Sequence, residues 1–191
     1  MPVRGGQGLA LEIAGIKKHQ RPIEAEHQQA RRNPGIRMAI QRMKTRWKPS
    51  ATVASVVEQN GRFLLVEEHT PDGLKLNNPA GHLDPGESPV DGCVRETLEE
   101  TTYTLTPTAL VGVYLSRQER RSTGTDTTYL RFAFCGTVGD ADPRRTLDRG
   151  IVRTVWMTEA QIRACPERHR TPLLLRCLDD YLAGKRYPLD L

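Results

Sequence analysis

The stretch GHLDPGESPVDGCVRETLEE, Gly81 to Glu100, limits what this chain can fold into more than any other part of it. It joins a glycine turn to an acidic run with the marks of a helix. Ser88 suits an N-cap, because its hydroxyl accepts from an otherwise unpaired helix N–H. Pro89 loses nothing in the first turn, and Asp91 favours the positive helix end. At about 100° per residue, Val90, Val94, Thr97 and Thr101 fall on one stripe, with Cys93 and Leu98 at its edges. That stripe is expected to face the core. Glu96, Glu99 and Glu100 fall within an arc of about 100° on the far side, where they are neighbours.

Clustering three carboxylates costs helix stability, roughly 0.2–0.5 kcal/mol for each like-charge pair one turn apart. A divalent cation supplies the missing reason. Mg²⁺ takes hard oxygen ligands and is commonly held by a few carboxylates together with substrate phosphates. Glutamates with ordinary pKa near ~4.3 are ionised at neutral pH and ready to bind it. Arg95 can pair with Glu99 one turn on, or bend back to Glu87, where a bidentate bridge would pin the Gly81–Gly86 loop to the helix. Gly81 and Gly86 let the backbone turn tightly and let a carbonyl approach a metal. A solvated acidic face is the common meaning of a glutamate helix. Against it stands the whole pattern of Gly81, Glu87, Arg95, Glu96, Glu99 and Glu100, which resembles a known metal-binding box and whose six identities would match it by chance in about 10⁻⁵ of chains this long.

Gly81, Glu87 and Arg95-Glu96-x-x-Glu99-Glu100 resemble the box of the Nudix family, the MutT-like hydrolases. The likeness runs from Trp47 through Trp156, most of all to NudJ-type phosphatases, in VASVVEQNGRFLLVEE, PAGHLDPGE and YLRFAF. It implies an α/β (α+β) fold, an α/β/α sandwich with a mixed β-sheet, and hydrolysis of phosphoric anhydride bonds by water. It implies Glu96, Glu99 and Glu100 as metal ligands for Mg²⁺ or Mn²⁺, with the Ala80–Gly81 backbone as a carbonyl ligand. Glu96 or Glu99 is the candidate base, Arg95 a catalytic-site organiser, and Glu87 and Gly86 structural. Two departures stand out. Thr102 occupies the helix exit where the family usually has Gly, and Thr97 a small aliphatic position. A further acidic residue before the late Trp is also missing. Gly150 holds about that place, and Asp148 is the nearest carboxylate.

Outside the box the patterns alternate between strand and helix. Asn60-Gly61 divides two β-rich runs, a strong hairpin signal since both residues tolerate positive φ. Ala109–Arg117, Thr128–Val138 and Gly150–Met157 read as strands. In the second, Leu130, Phe132 and Phe134 are expected to face the core, leaving Tyr129 and Arg131 on an open face. Helices are expected near Glu159–Ala164 and over Pro172–Ala183, the latter capped by Thr171 and stopped by Gly184. Strands interleaved with few helices predict a mixed sheet flanked by helices. Arg117, Arg131 and Tyr129 are candidate substrate contacts, with Arg120, Arg121 and Tyr114 behind them; guanidinium suits phosphate and a phenol ring suits stacking.

Charge divides the chain. Residues 1–46 carry ten Lys/Arg against three Glu, while 47–191 carry eighteen against twenty Asp/Glu, so the net charge of +5 belongs to the front. Segment 1–46 is expected to be a disordered basic extension, with 1–42 dispensable and Met43 a natural start, and 47–191 the hydrolase domain. The only amphipathic stretch in the extension is Ile36–Met43. Its basic arm is the one feature that points to nucleic acid. No apolar run reaches the ~20 residues of a membrane span. The four cysteines lack zinc or disulfide spacing, which suits reduced thiols in the cytoplasm. The expected protein is a monomeric or homodimeric phosphatase of nucleoside di- and triphosphates or small organic pyrophosphates, such as hydroxymethylpyrimidine diphosphate. Two alternatives are an ADP-ribose or dinucleoside polyphosphate pyrophosphatase and a non-catalytic nucleotide-sensing module.

Overall fold

The computed structural model describes residues 47–120 and 124–190. Segment 1–46, with Ile36–Met43, lies outside them, as does Arg121. The sheet grows from the predicted hairpin. Strand β1 (Ser50–Gln59) turns through Asn60 (φ 54°) and Gly61 (φ 73°) into β2 (Arg62–Thr70). Two short strands follow, β3 (Gly73–Asn77) and β4 (Ala80–His82), then helix α1 (Pro89–Thr101). Long strands β5 (Tyr103–Arg120) and β6 (Thr125–Ala141) come next, then β7 (Ile151–Thr158). Helix α2 (Glu159–Arg163), a 3₁₀ turn (Pro166–Arg168) and helix α3 (Leu173–Leu182) complete the chain.

The sheet order is β3-β2-β1-β6-β5, with β4 added to β1 and β7 to β2. It is mixed, as the sequence predicts: β1 runs parallel to β6 (Ser50–Val57 against Tyr129–Gly136) and antiparallel to β2 and β4. Short β3 and β4 have no signature of their own in the sequence. Their residues pair because β1 and β2 offer edges, not because their propensity is high.

Alternation sends side chains to two cores. On one face Val53, Val57, Leu64, Leu110 and Phe134 pack with Cys93 of α1. On the other Val56, Phe63, Leu65, Val111, Ala133 and Cys135 pack with Leu174, Cys177 and Leu178 of α3. A fully buried Leu or Val contributes roughly 1.5–3 kcal/mol, so these layers dominate stability. The result is the expected α+β sandwich of helix, mixed sheet and helix. One expectation fails: β6 has no open face at its centre. Leu130 is only half-buried, whereas Arg131 is 7% exposed and Ala133 lies in the second core. A helix covers each side of the sheet, so alternation there separates two interiors rather than interior from water. Tyr114 is likewise buried and donates its hydroxyl to Asp180 (2.9 Å), so it offers no stacking surface.

The helix ends follow their local chemistry. In α1 the Ser88 hydroxyl accepts from Asp91 N–H (3.1 Å), as predicted. Thr158 and Gln161 form a reciprocal capping box on α2. Before α3 the N-cap position falls to Pro172 rather than Thr171; Thr171 Oγ1 still accepts from Leu173 N–H (3.2 Å). Gly184 ends the helix at φ 77°.

Candidate active site

Helix α1 brings Glu96 and Glu100 of its acidic arc against β4. The expected stripe holds in Thr97 and Thr101, both buried, with Cys93 buried at its edge and Val94 half-buried. Thr97 Oγ1 donates to the Cys93 carbonyl (2.7 Å) and lies 3.0 Å from the Ser55 hydroxyl of β1. The hydroxyl in this aliphatic place is therefore paired, and the departure costs the packing nothing. On the other arc the Glu96 side chain is 13% exposed and that of Glu99 42%.

Arg95 organises the cluster. Its Nε and Nη2 donate to the two Glu87 oxygens (3.1 and 2.7 Å), and Nη2 also donates to the His82 carbonyl (2.9 Å). Its Nη1 donates to Glu96 (2.9 Å) and Glu99 (3.0 Å). Both pairings open to Arg95 in the sequence are thus made at once. Hydrogen bonds from Arg95, then from Asp84 N–H, hold the Glu87 carboxyl down at about 2. The bridge ties the loop to the helix, with Gly86 at φ 91° supplying the turn.

The close approach of β4 and α1 depends on glycine. A Cβ on Gly81 would sit 2.0 Å from the Glu96 carboxylate carbon. A Cβ on Gly92 would come within 2.8 Å of both Glu87 and Leu83, a second requirement the sequence reading missed. Glu100 accepts from Ala80 N–H (2.8 Å). Burial, reinforced by Glu96 and Asp148, nevertheless pushes the Glu100 carboxyl up to about 8. Burial also raises Glu96, against the pull of Arg95. Asp148, whose N–H donates to the Glu99 carbonyl (3.0 Å), is thus the fourth carboxylate drawn to the cluster.

These residues fit a divalent cation by their chemistry. Among the described residues no three acidic, His or Cys groups converge as the side chains stand, because Arg95 engages Glu96 and Glu99 while Ala80 engages Glu100. Yet Glu96 and Glu100, both with raised pKa, sit in a cradle that a Cβ on Gly81 would fill, and Arg95 reaches only the first of them. Negative charge exceeds positive there, and an added cation relieves that excess.

Behind β4, on the α3 side, a cleft of about 60 Å³ is lined by Thr52, Asn77, Gly81, His82, Gln118, Tyr129, Arg131 and Arg170 among others. Arg131 and Tyr129 therefore lie beside the cluster, where the sequence reading wanted them. Arg117 does not. It neighbours the cleft-lining Gln118 on a strand, so it points to the opposite face, and it is paired with Asp126 (2.8 and 2.9 Å) and Glu119. Thr52, Asn77 and Arg170 were missed, because only strand pairing and the approach to α3 bring them together.

Residues 46–175 match the NUDIX domain family. The chain belongs to the Nudix family. The phosphatase NudJ of Escherichia coli strain K12 is 32% identical over 145 residues, 76% of this chain and 91% of that protein. A solved NUDIX hydrolase from Nitrosomonas europaea is 54% identical, with a TM-score of 0.68, over 75% of this chain and 95% of that one. A UDP-X diphosphatase of known structure shares the fold at 18% identity and a TM-score of 0.58, covering 80% of this chain and 72% of that one. The protein is accordingly a Nudix phosphohydrolase, one of a family that cleaves pyrophosphate links in small phosphorylated substrates with a divalent metal. Among the described residues, no helix is long and apolar enough to cross a membrane.

Proposed function

We propose that this Nudix hydrolase is a Mg²⁺-dependent phosphatase, with Mn²⁺ as a substitute. Its substrates on this reading are nucleoside di- and triphosphates or small organic pyrophosphates such as hydroxymethylpyrimidine diphosphate. The observation that carries the reading is the carboxylate cluster of α1 closed against Gly81. Its 32% identity to a phosphatase over three-quarters of the chain supports the choice of reaction. Glu96, Glu99 and Glu100 would hold the cation, with the Gly81 backbone beside them. When bound, that ion neutralises the diphosphate and makes water a better nucleophile.

The chain's own groups do the rest. Glu99, the most exposed carboxylate of the three, takes the proton from the attacking water at its Oε atoms. Arg95 holds Glu99 and Glu96 in register, and Glu87 holds Arg95. Glu100, fixed to Ala80 N–H, keeps β4 against the helix. Arg131 and Tyr129 meet the part of the substrate that enters the cleft. All of these residues come from one chain, so a monomer suffices, although a homodimer is compatible. The four free thiols accord with a cytoplasmic protein.

A substrate panel with Mg²⁺, Mn²⁺ or EDTA, scored for orthophosphate and pyrophosphate, tests this. Orthophosphate release from diphosphates that EDTA abolishes is the expected result. Release of a nucleoside monophosphate from ADP-ribose or a dinucleoside polyphosphate, with diphosphates untouched, would replace it by the pyrophosphatase reading.

A further inference from the structure

Arg131 is a charged side chain in the interior with too few partners. Its Nε and Nη1 have no hydrogen-bond partner, and burial opposes its charge. Two more buried atoms on the same cleft share that condition, Thr52 Oγ1 and Asn77 Oδ1. A buried polar group without a partner costs about 1–3 kcal/mol, and a charged one more. Three residues with such groups lining one cleft beside an active site mark a place built for a ligand.

The chemistry of the three limits what that ligand is. Arg131 only donates, Asn77 Oδ1 only accepts, and the Thr52 hydroxyl does either. A substrate phosphate, fully ionised beside an arginine, carries acceptors alone. It would satisfy Arg131 and set oxygen against oxygen at Asn77. A group offering an acceptor beside a donor satisfies both. The Tyr129 and His82 rings, with centroids 6.2 Å apart, border the same space and offer a flat group a surface. A water needs about 10–15 Å³ of such space, so a cleft of about 60 Å³ admits one flat group and not a whole nucleotide.

We infer that Arg131 is a specificity-determining residue that reads the organic end of the substrate rather than its phosphates, and that the group it takes is a heterocyclic ring edge with an acceptor, a carbonyl oxygen or a ring nitrogen, beside an N–H. In that arrangement Arg131 donates to the acceptor, Asn77 Oδ1 accepts from the N–H, and Thr52 completes the set. The diphosphate then extends past Gly81 toward Glu96, on the other side of β4. The inference rests on the proposed reaction only for that last placement.

Binding of phosphate-free uridine to the full chain, followed by saturation-transfer NMR without metal, tests it, with ribose and inorganic phosphate as controls. Uridine is expected to bind, ribose and phosphate not to compete, and Arg131→Gln to weaken uridine about tenfold or more. Asn77→Ala, which removes the acceptor without disturbing the buried guanidinium, is expected to weaken it about fivefold, and serves alone if Arg131→Gln does not fold. Absent uridine binding, unchanged affinity in Asn77→Ala, or loss of phosphate binding with Arg131 would overturn the inference. Phosphate release from diphosphates by the wild-type chain reports separately on the reaction. A chain that binds uridine through Arg131 and hydrolyses nothing keeps the pocket and loses the phosphatase.

Discussion

Gly81 shows how a single residue sets the site. Its missing side chain is occupied by the Glu96 carboxylate, the movable end of a long side chain rather than backbone. Gly81→Ala should therefore leave the fold within about 1 kcal/mol of wild type, since Glu96 can swing away, while turnover falls more than tenfold. A thermal melt with a kinetic assay separates the two; an active Gly81→Ala would mean that Glu96 has no place in the chemistry. Glu99→Gln and Glu100→Gln carry the complementary prediction. Each should lower turnover more than tenfold with the circular dichroism spectrum unchanged, and near-normal rates in both would remove the glutamate cluster from the mechanism. Glycine positions and glutamate spacing are legible in the sequence because they are local. The partner that occupies the glycine's empty side is not.

At the scale of elements, α1 carries two departures from its family that have opposite costs. Thr102 ends the helix in the left-handed region at φ 62°, with its N–H bonded to the Leu98 carbonyl (2.9 Å). An L-residue there is strained by about 1–2 kcal/mol, more than a glycine loses in chain entropy. Thr102→Gly should thus stabilise the protein by about 0.5–1 kcal/mol, seen as a higher urea midpoint; a lower midpoint would show that Thr102 makes compensating contacts. Thr97 is different, because its hydroxyl meets Ser55 in the interior. Thr97→Val and Ser55→Ala should each cost about 1–2 kcal/mol, and the double variant less than their sum, since replacing both partners removes the unpaired group. Strict additivity in urea melts would show that the pair does not interact. Sequence spacing identifies the helix and its cap. It does not show that a polar residue on the inner stripe faces a polar residue of a distant strand.

Over the whole molecule, buried and half-buried carboxylates held by arginines tie distant segments together. Glu67 of β2 accepts from Arg153 of β7 (2.8 Å) and is bonded to Arg168 of the 3₁₀ turn, and these contacts hold its carboxyl below the ordinary value. Glu87 is held at about 2 by Arg95. A carboxyl depressed in the folded state stabilises fully above its unfolded value near 4.5, and that contribution is lost as pH falls. In metal-free protein the raised Glu100 should cost stability as pH rises from about 5 toward 8, so the melting temperature should peak near pH 5, and the depressed Glu67 and Glu87 should cost stability as pH falls from there toward 2. Glu67→Gln should start lower and lose less across that window. An acid limb as steep as wild type would exclude Glu67 as a contributor.

What the sequence alone determined is what depends on neighbours along the chain. The Asn60-Gly61 hairpin, the Ser88 cap, the arc of glutamates and the reach of Arg95 to Glu87 follow from turn chemistry and helical geometry. So do the mixed sheet and the family, because periodicity and motif spacing are carried residue by residue. Tertiary structure decided what depends on burial and on strands that meet from far apart. It buried Arg131, which alternation alone left open, and Tyr114, a candidate stacking ring, since a second helix covers the face that a one-sided sheet would show to water. It turned Arg117 away from the cleft and brought in Thr52, Asn77 and Arg170. No local pattern marks those three, because the free energy that places them comes from the packing of β1, β3, β6 and α3, and that packing exists only once the chain has closed.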